Sequence, residues 1–370
     1  MVLTILIAFF SLIGLIILHE FGHFIIAKRF GVKVEEFGIF LPPRLIGKKI
    51  GETVYSLNLL PFGAFVKLYG EEDSEKREYW SFSQKPVWQR VLIVIGGVAS
   101  FWLISAILLS IVMSMGTSTA ISDEENGNLI NPKVQIVAVS AHSPAESVGL
   151  KIGDIIKQLA INNQQLTINK VNQLQELIEK YKGQEITLTI ERGKEIFEVS
   201  LVPRPAPPQD EGAMGVALVR TAIKSYPWYQ APIKGIEATI GLTGAIIVGL
   251  VGTMRDLVLN KGLPPGVEVM GVVGIGALMV QFAGLGINYY LHFISVISIY
   301  LAIFNILPIP ALDGGKLIFL GIEAARKKSV SPKIEQNITT ICFILLIALM
   351  IFVTIKFDIP RLSEFLNTRF

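Results

Sequence analysis

The chain has 370 residues, 51% apolar and only 17% charged, with a mean hydropathy of +0.56. Soluble domains carry about 25% charge, so this composition excludes an ordinary soluble globule and points to an integral membrane protein. A net charge of +3 without a basic stripe excludes a nucleic-acid partner, and the single cysteine, Cys342, excludes an intrachain disulfide.

Residues 2–27 form the first run long enough for a ~30 Å hydrocarbon layer, which takes about 20 residues. Its length, the absence of Lys or Arg before Lys28 and the lack of a small-residue cleavage site set it apart from a signal peptide. Inside it stands His19-Glu20-Phe21-Gly22-His23. An ionised side chain near a bilayer centre costs about 2.5 kcal/mol or more, so one found there marks function by default. Histidines at i and i+4 share a helix face and can both reach one zinc ion, and the glutamate between them is placed to activate water. The pentapeptide therefore reads as part of a protease working inside the membrane.

Between residues 34 and 68 the pattern alternates, in Tyr55-Ser56-Leu57-Asn58-Leu59 and in Ala64-Phe65-Val66-Lys67-Leu68, with Pro61 and Gly63 as punctuation. A β-element here can touch hydrocarbon only if its backbone is paired or buried. Val87–Met115 is the second span. Residues 117–204 read as a soluble insert. It has a strand at 134–139, a helix at 169–182 with Asn169 as N-cap and Gly183 as C-cap, and a hairpin of 185–191 and 196–201 around Arg192-Gly193-Lys194. The linker Pro203-Arg204-Pro205-Ala206-Pro207-Pro208 stiffens the exit.

Residues 233–286 are apolar but glycine-rich and interrupted by Arg255, Asp256, Lys261 and Glu268. The preferred placement is along the outer interface, helped by Tyr226, Trp228 and Tyr229, and a two-helix hairpin is the alternative. Spans follow at 289–307 and 338–355. Lys and Arg are enriched in cytoplasmic loops. Lys28, Arg29 and Lys33, then Lys76, Arg77, Lys85 and Arg90, and finally Arg326, Lys327, Lys328 and Lys333, put the loops after the first and third spans inside. The insert is then outside, provided that 233–286 crosses an even number of times.

A catalytic zinc takes three protein ligands and keeps a fourth position open. His142 falls in the insert. On a 1.5 Å rise His292 would lie about 30 Å from Asp313, near the outer face, and reads as a packing histidine. Asp313 emerges at the cytoplasmic end of the third span, at the depth of His19 and His23. It sits in Asn305-Ile306-Leu307-Pro308-Ile309-Pro310-Ala311-Leu312-Asp313-Gly314-Gly315. There the prolines break the helix ladder and the glycines allow a tight turn.

HEFGH in the first span, NILPIPALDGG after a later one and an insert between them resemble the bacterial site-2 proteases, intramembrane zinc metalloproteases of the RseP type, over essentially the whole chain. The resemblance implies that His19, His23 and Asp313 bind Zn(2+) and that Glu20 is the general base. It also implies that Asn305, Pro308 and Pro310 grip substrate and that residues 59–67 belong to a membrane-associated β-loop. The run 143–154 resembles a PDZ core, whereas Gly96-Gly97-Val98-Ala99-Ser100-Phe101 departs from the Gly-Pro and Asn common in relatives.

The expected fold is a polytopic α-helical membrane protein with about four transmembrane helices, a membrane-associated β-loop and one extracytoplasmic α+β PDZ-like domain. Its expected parts are 1–116, 117–204, 205–286 and 287–370. The expected substrates are single-span membrane proteins already trimmed by another protease, cleaved within the lipid bilayer of the cell membrane, with the active site towards the cytoplasm. A silent scaffold with a partner-binding PDZ-like domain, which need not keep Glu20, and a metal transporter, which should tolerate Glu20→Gln, are the rival readings.

Overall fold

The computed structural model describes residues 2–71, 78–125, 129–140, 143–161, 164–193, 195–208, 211–260, 262 and 269–360. Of the residues singled out above, Lys76, Arg77, His142, Lys194, Lys261 and Glu268 lie outside this set. The elements begin with α1 (Val2–Arg29), β1 (Val34–Ile50), β2 (Thr53–Leu68), α2 (Val87–Met115), β3 (Thr117–Ala120) and β4 (Ile130–Val139). Next come α3 (Pro144–Ser147), β5 (Ile155–Ile161), β6 (Gln164–Thr167), α4 (Val171–Lys180), β7 (Ile186–Arg192), β8 (Glu195–Leu201) and β9 (Val216–Lys224). The chain ends in α5 (Ala231–Val258), α6 (Val272–Leu285), α7 (Ile287–Asn305), α8 (Asp313–Arg326) and α9 (Pro332–Val353). Contacts group Met1–Val112 with Trp228–Phe370 as one unit and Met113–Pro227 as a second.

Among the described residues, five helical stretches have the length and composition to cross a membrane: Leu3–Arg29, Val87–Met115, Ala231–Val258, Ile287–Asn305 and Lys333–Asp358. Most of their apolar surface is not buried in protein, and for Lys333–Asp358 none of the apolar window is. A helix that is apolar all round and uncovered needs lipid as its solvent. The chain is a multi-pass membrane protein. The extra stretch comes from residues 233–286, where an interfacial segment was expected. Glycine lowers helix propensity by about 1 kcal/mol but, unlike proline, does not remove a ladder hydrogen bond, so α5 runs unbroken. The helix α6 has 14 residues, about 21 Å at 1.5 Å per residue, which is shorter than the hydrocarbon layer.

The β-element is also longer than its alternating segments suggest, because Pro61 and Gly63 lie inside β2 without ending it. Residues 36–39 of β1 lie between two stretches of β2, so that Glu36 faces Lys67 and Val54, and Ile39 faces Ala64 and Leu57. Phe37 meets Phe24 of α1 edge to face with ring centroids 5.5 Å apart, and Phe24 also packs against a buried cluster that includes Ala27, Val34, Leu68 and Ile93. The helices α1 and α2 cross at Gly22 and Gly96. A Cβ on Gly22 would collide with the Gly96 carbonyl, so only glycine permits this approach. The hydroxyl of Ser298 on α7 donates to the Phe101 carbonyl of α2 at 2.7 Å.

The second unit is a sheet ordered β3-β9-β4-β5-β7-β8, with β6 on β5. Its core takes the inward face of each strand, including Val134, Ile136, Ile156, Leu159, Leu188 and Ile190, and is covered by Leu174 and Ile178 of α4. The hairpin expected around Gly193 forms, as β7 and β8. Two expectations change. The sheet does not end near residue 204, since β9 lies between β3 and β4. In addition, α4 is not capped by Asn169. Its N-cap position is Lys170, and the carboxylate of Asp123 accepts from the Val171 and Asn172 amides at 3.1 and 2.6 Å. Asp154 is buried, accepts the Lys151 amide at 2.8 Å and holds Arg192 at 2.6 and 2.7 Å.

Candidate metal centre

One turn of α1 separates His19 from His23, which places both rings on one side of the helix with their Nε2 atoms 3.3 Å apart. Asp313 is the first residue of α8, and its Oδ2 lies 3.2 Å from His19 Nε2 and 3.3 Å from His23 Nε2. Among the described residues this is the group of three or more His, Cys, Asp or Glu side chains whose donor atoms converge closely enough to hold a metal ion. The triangle suits zinc. Donors about 2.0–2.1 Å from a tetrahedral ion stand about 3.3 Å from one another. The protein gives no hydrogen-bond donor to the buried Asp313 Oδ2, so a cation is what this oxygen lacks.

The three donors are held by neighbours of different kinds. His23 Nδ1 lies 2.9 Å from the Ile93 carbonyl, which accepts its proton and leaves Nε2 with its lone pair toward the centre. A Cβ on Gly97 would run into the His23 ring, so the ring lies in space that only glycine vacates. The ring of His19 stacks on Phe101 with centroids 4.6 Å apart and planes 12° from parallel. Arg90 pairs with Glu323 of α8, and Lys316 of α8 pairs with Glu71 beyond the end of β2. Arg90, Ile93, Gly97 and Phe101 recur at helical spacing, so one face of α2 is a template for the whole centre. The sequence contained only weak signs of it: a Gly-Gly pair in an apolar span and an arginine near that span's start.

The remaining expected residues surround the triangle unevenly. Glu20 projects toward β2, where its Oε2 accepts the Val66 N–H at 3.0 Å. Asn305 ends α7 and donates back to the Leu301 carbonyl at 2.9 Å. Pro308 is exposed, and the Pro310 carbonyl accepts from Thr339 of α9 at 3.2 Å. Gly314 and Gly315 sit so close to the Ile306, Leu307 and Ile309 carbonyls that a Cβ on either would strike backbone, which explains why α8 can start directly after this turn. His292 is not part of the triangle.

A chain with several apolar helices and an HExxH pair closed by a distant aspartate defines a membrane metalloprotease. The profile of peptidase family M50 matches residues 7–349, and the chain belongs to that family, the site-2 proteases. It is 32% identical to a "putative zinc metalloprotease" of Clostridium perfringens over 95% of this chain and 97% of that protein. A similarly named protein of Clostridium acetobutylicum is 33% identical over 95% and 96%. Zinc metalloprotease RasP of Shouchella clausii is 26% identical over 96% and 98%. The enzyme is a metalloprotease whose cofactor is zinc.

Proposed function

We propose that this enzyme hydrolyses peptide bonds within transmembrane segments of single-span proteins already shortened by another protease. The observation that carries this reading is the 3.2–3.3 Å triangle of His19, His23 and Asp313 with Glu20 beside it. His19, His23 and Asp313 would hold the zinc ion, which supplies Lewis acidity to a peptide carbonyl and acidifies water. Glu20 takes the proton of the attacking water and returns it to the leaving amine. Ile93 keeps His23 in the tautomer a ligand needs.

A helical substrate hides its peptide bonds in its own ladder, so cleavage requires local unwinding. The edge of β2 carrying Val66 borders Glu20 and offers backbone partners to an unwound segment, as β-augmentation does. Asn305, Pro308 and Pro310, on the turn that delivers Asp313, would contact the same segment. Lys28 and Arg29 in the last turn of α1 support a cytoplasmic position for this end of the helix. Asp313 shares the depth of His19, so α7 runs in the direction of α1. With α1 ending inside, α2 would carry the chain back out, so we read the PDZ-like insert as lying outside, and α5–α6 would return the chain to that side before α7.

The test is cleavage of a model transmembrane peptide by purified enzyme, with membrane proteomics of cells carrying wild type or Glu20→Gln. Accumulation of shortened single-span precursors with Glu20→Gln is the expected result. Equal processing by both enzymes would overturn the proposal.

A further inference from the structure

The helix α8 carries more than Asp313. One turn later it presents Lys316, on the side of the helix that an i, i+3 spacing shares with Asp313. The Lys316 ammonium donates to the Glu71 carboxylate at 2.5 Å. Glu71 is held by a built turn directly after β2. Its amide donates to the Leu68 carbonyl at 3.3 Å, and Leu68 is buried. Gly70 in this turn has a φ of +72°, and a Cβ there would strike the Ser81 hydroxyl, so the turn requires glycine. The Tyr69 amide donates to the Lys33 carbonyl at 2.9 Å, and the Tyr69 carbonyl accepts the Phe82 amide at 2.8 Å. Glu71 therefore stands in a fixed relation to the last residues of β2, among them Val66, whose N–H meets Glu20.

The far end of α8 is fixed separately. Glu323, about two turns beyond Lys316, pairs with Arg90 of α2. Asp313 thus stays tied to α2 through its own helix even where Lys316 is replaced. What Lys316 adds is a direct link between α8 and the strand whose edge borders Glu20. The turn with Pro308 and Pro310 leads straight into α8. The same link therefore governs how that turn stands relative to the β2 edge.

We propose that the Lys316–Glu71 pair determines which peptide bond of an unwound substrate segment is cleaved, by fixing the β2 edge relative to the helix that carries Asp313. This deepens the proposed function and rests on it. A segment paired with β2 takes its register from the strand, and a slip of one residue turns every side chain to the other face. The bond that reacts is the one this register brings to His19, His23 and Asp313. With strand and helix joined, one register is presented, and with the link broken neighbouring registers compete. Lys316 is a positioning residue that acts through Glu71. Its side chain is 47% exposed, so the pair has the modest worth of a partly exposed one and tunes the choice of bond without holding the fold together.

The test uses the full chain in detergent with a model transmembrane peptide, and compares wild type with Lys316→Met, Glu71→Ala, the double variant and Lys316→Arg. Mass spectrometry maps the cleaved bonds, while kcat, KM and bound zinc are measured on the same samples. Each single loss should keep its zinc, raise KM about three- to fivefold with a smaller change in kcat, and spread cleavage to neighbouring bonds. The double variant should be no worse than either single one, because the two side chains act as one pair. Lys316→Arg keeps the charge and should recover the wild-type choice of bond. Unchanged KM and cleavage sites in both single variants overturn the proposal. So do losses that add in the double variant, or a Lys316→Arg enzyme that behaves like Lys316→Met. Loss of zinc with Lys316→Met would make the residue part of the metal centre's support, and would also overturn it. A wild type that cleaves no transmembrane peptide overturns the proposed function and this proposal with it, whereas cleavage by wild type with identical behaviour of the variants overturns this proposal alone.

Discussion

The carboxylate of Glu20 accepts the backbone N–H of Val66 at 3.0 Å, which joins the HExxH helix to the edge of the β-element. A strand residue directs its N–H to one side, so this donor is not spent on the Phe37 side of the ladder. The same bond restrains the carboxylate and marks where the strand edge meets the site.

Replacing Val66 by proline deletes that donor without removing a ladder bond. A hydrogen bond to a charged group contributes about 1.5–3 kcal/mol, so peptide cleavage should fall roughly tenfold or more while zinc content stays unchanged. Parallel assays of kcat and bound zinc check this. An equal loss of both would mean that the variant had disturbed the fold instead.

Gly97→Ala should cost zinc affinity without weakening the helix. Alanine is the better helix former by about 1 kcal/mol, yet its Cβ strikes the His23 imidazole. Displacing a ligand from its supported orientation lowers metal affinity about 10- to 100-fold. Competition with a chromophoric chelator measures it, and affinity equal to wild type would remove Gly97 from the account.

Arg90 and Glu323 join α2 to the helix that begins with Asp313. Breaking a largely buried pair from one side costs about 3–5 kcal/mol, and the part-exposure of Glu323 reduces this to about 2 kcal/mol. Arg90→Ala should therefore lower both the melting temperature and the zinc affinity. The double swap Arg90→Glu with Glu323→Arg should recover part of each, and a swap no better than Arg90→Ala would count against the pair.

The insert should lose stability in acid. Burial alone would raise the pKa of Asp154, but its hydrogen bonds to Arg192 and to the Lys151 amide outweigh burial and hold it below the ordinary carboxylate value. A carboxyl with a depressed folded pKa contributes stability that is present above its unfolded pKa, about 3.9, and lost as pH falls through the folded value. Pulse proteolysis in urea, followed by mass spectrometry of insert fragments, should show wild type losing stability below about pH 4. Asp154→Asn should be weaker at pH 7 and less dependent on pH in that range.

The three residues of the triangle were legible in the sequence because their pattern is local: an i, i+4 histidine pair in an apolar run, and an aspartate between proline and glycine. Their support was not. Ile93 acts through a carbonyl, Gly97 through missing atoms and Phe101 through a ring face, none of which distinguishes a residue in an apolar span. Residues 233–286, expected along the interface or as a two-helix hairpin, hold the helices α5 and α6, because glycine weakens a helix without removing its ladder hydrogen bonds. The boundary at 204 followed the proline linker, but β9 returns after it because the pairing that defines the sheet is non-local. The cap of α4 failed as a local reading for the same reason, Asp123 being distant in sequence.

The most direct test of the account is X-ray absorption at the zinc edge on wild type, Glu20→Gln and Asp313→Ala, with cleavage measured on the same samples. The account predicts one zinc per chain with nitrogen and oxygen donors at about 2.0–2.1 Å in wild type and in Glu20→Gln, which should nonetheless be inactive. Asp313→Ala should lose the metal. Full cleavage by Glu20→Gln, or an unchanged zinc environment in Asp313→Ala, would contradict it.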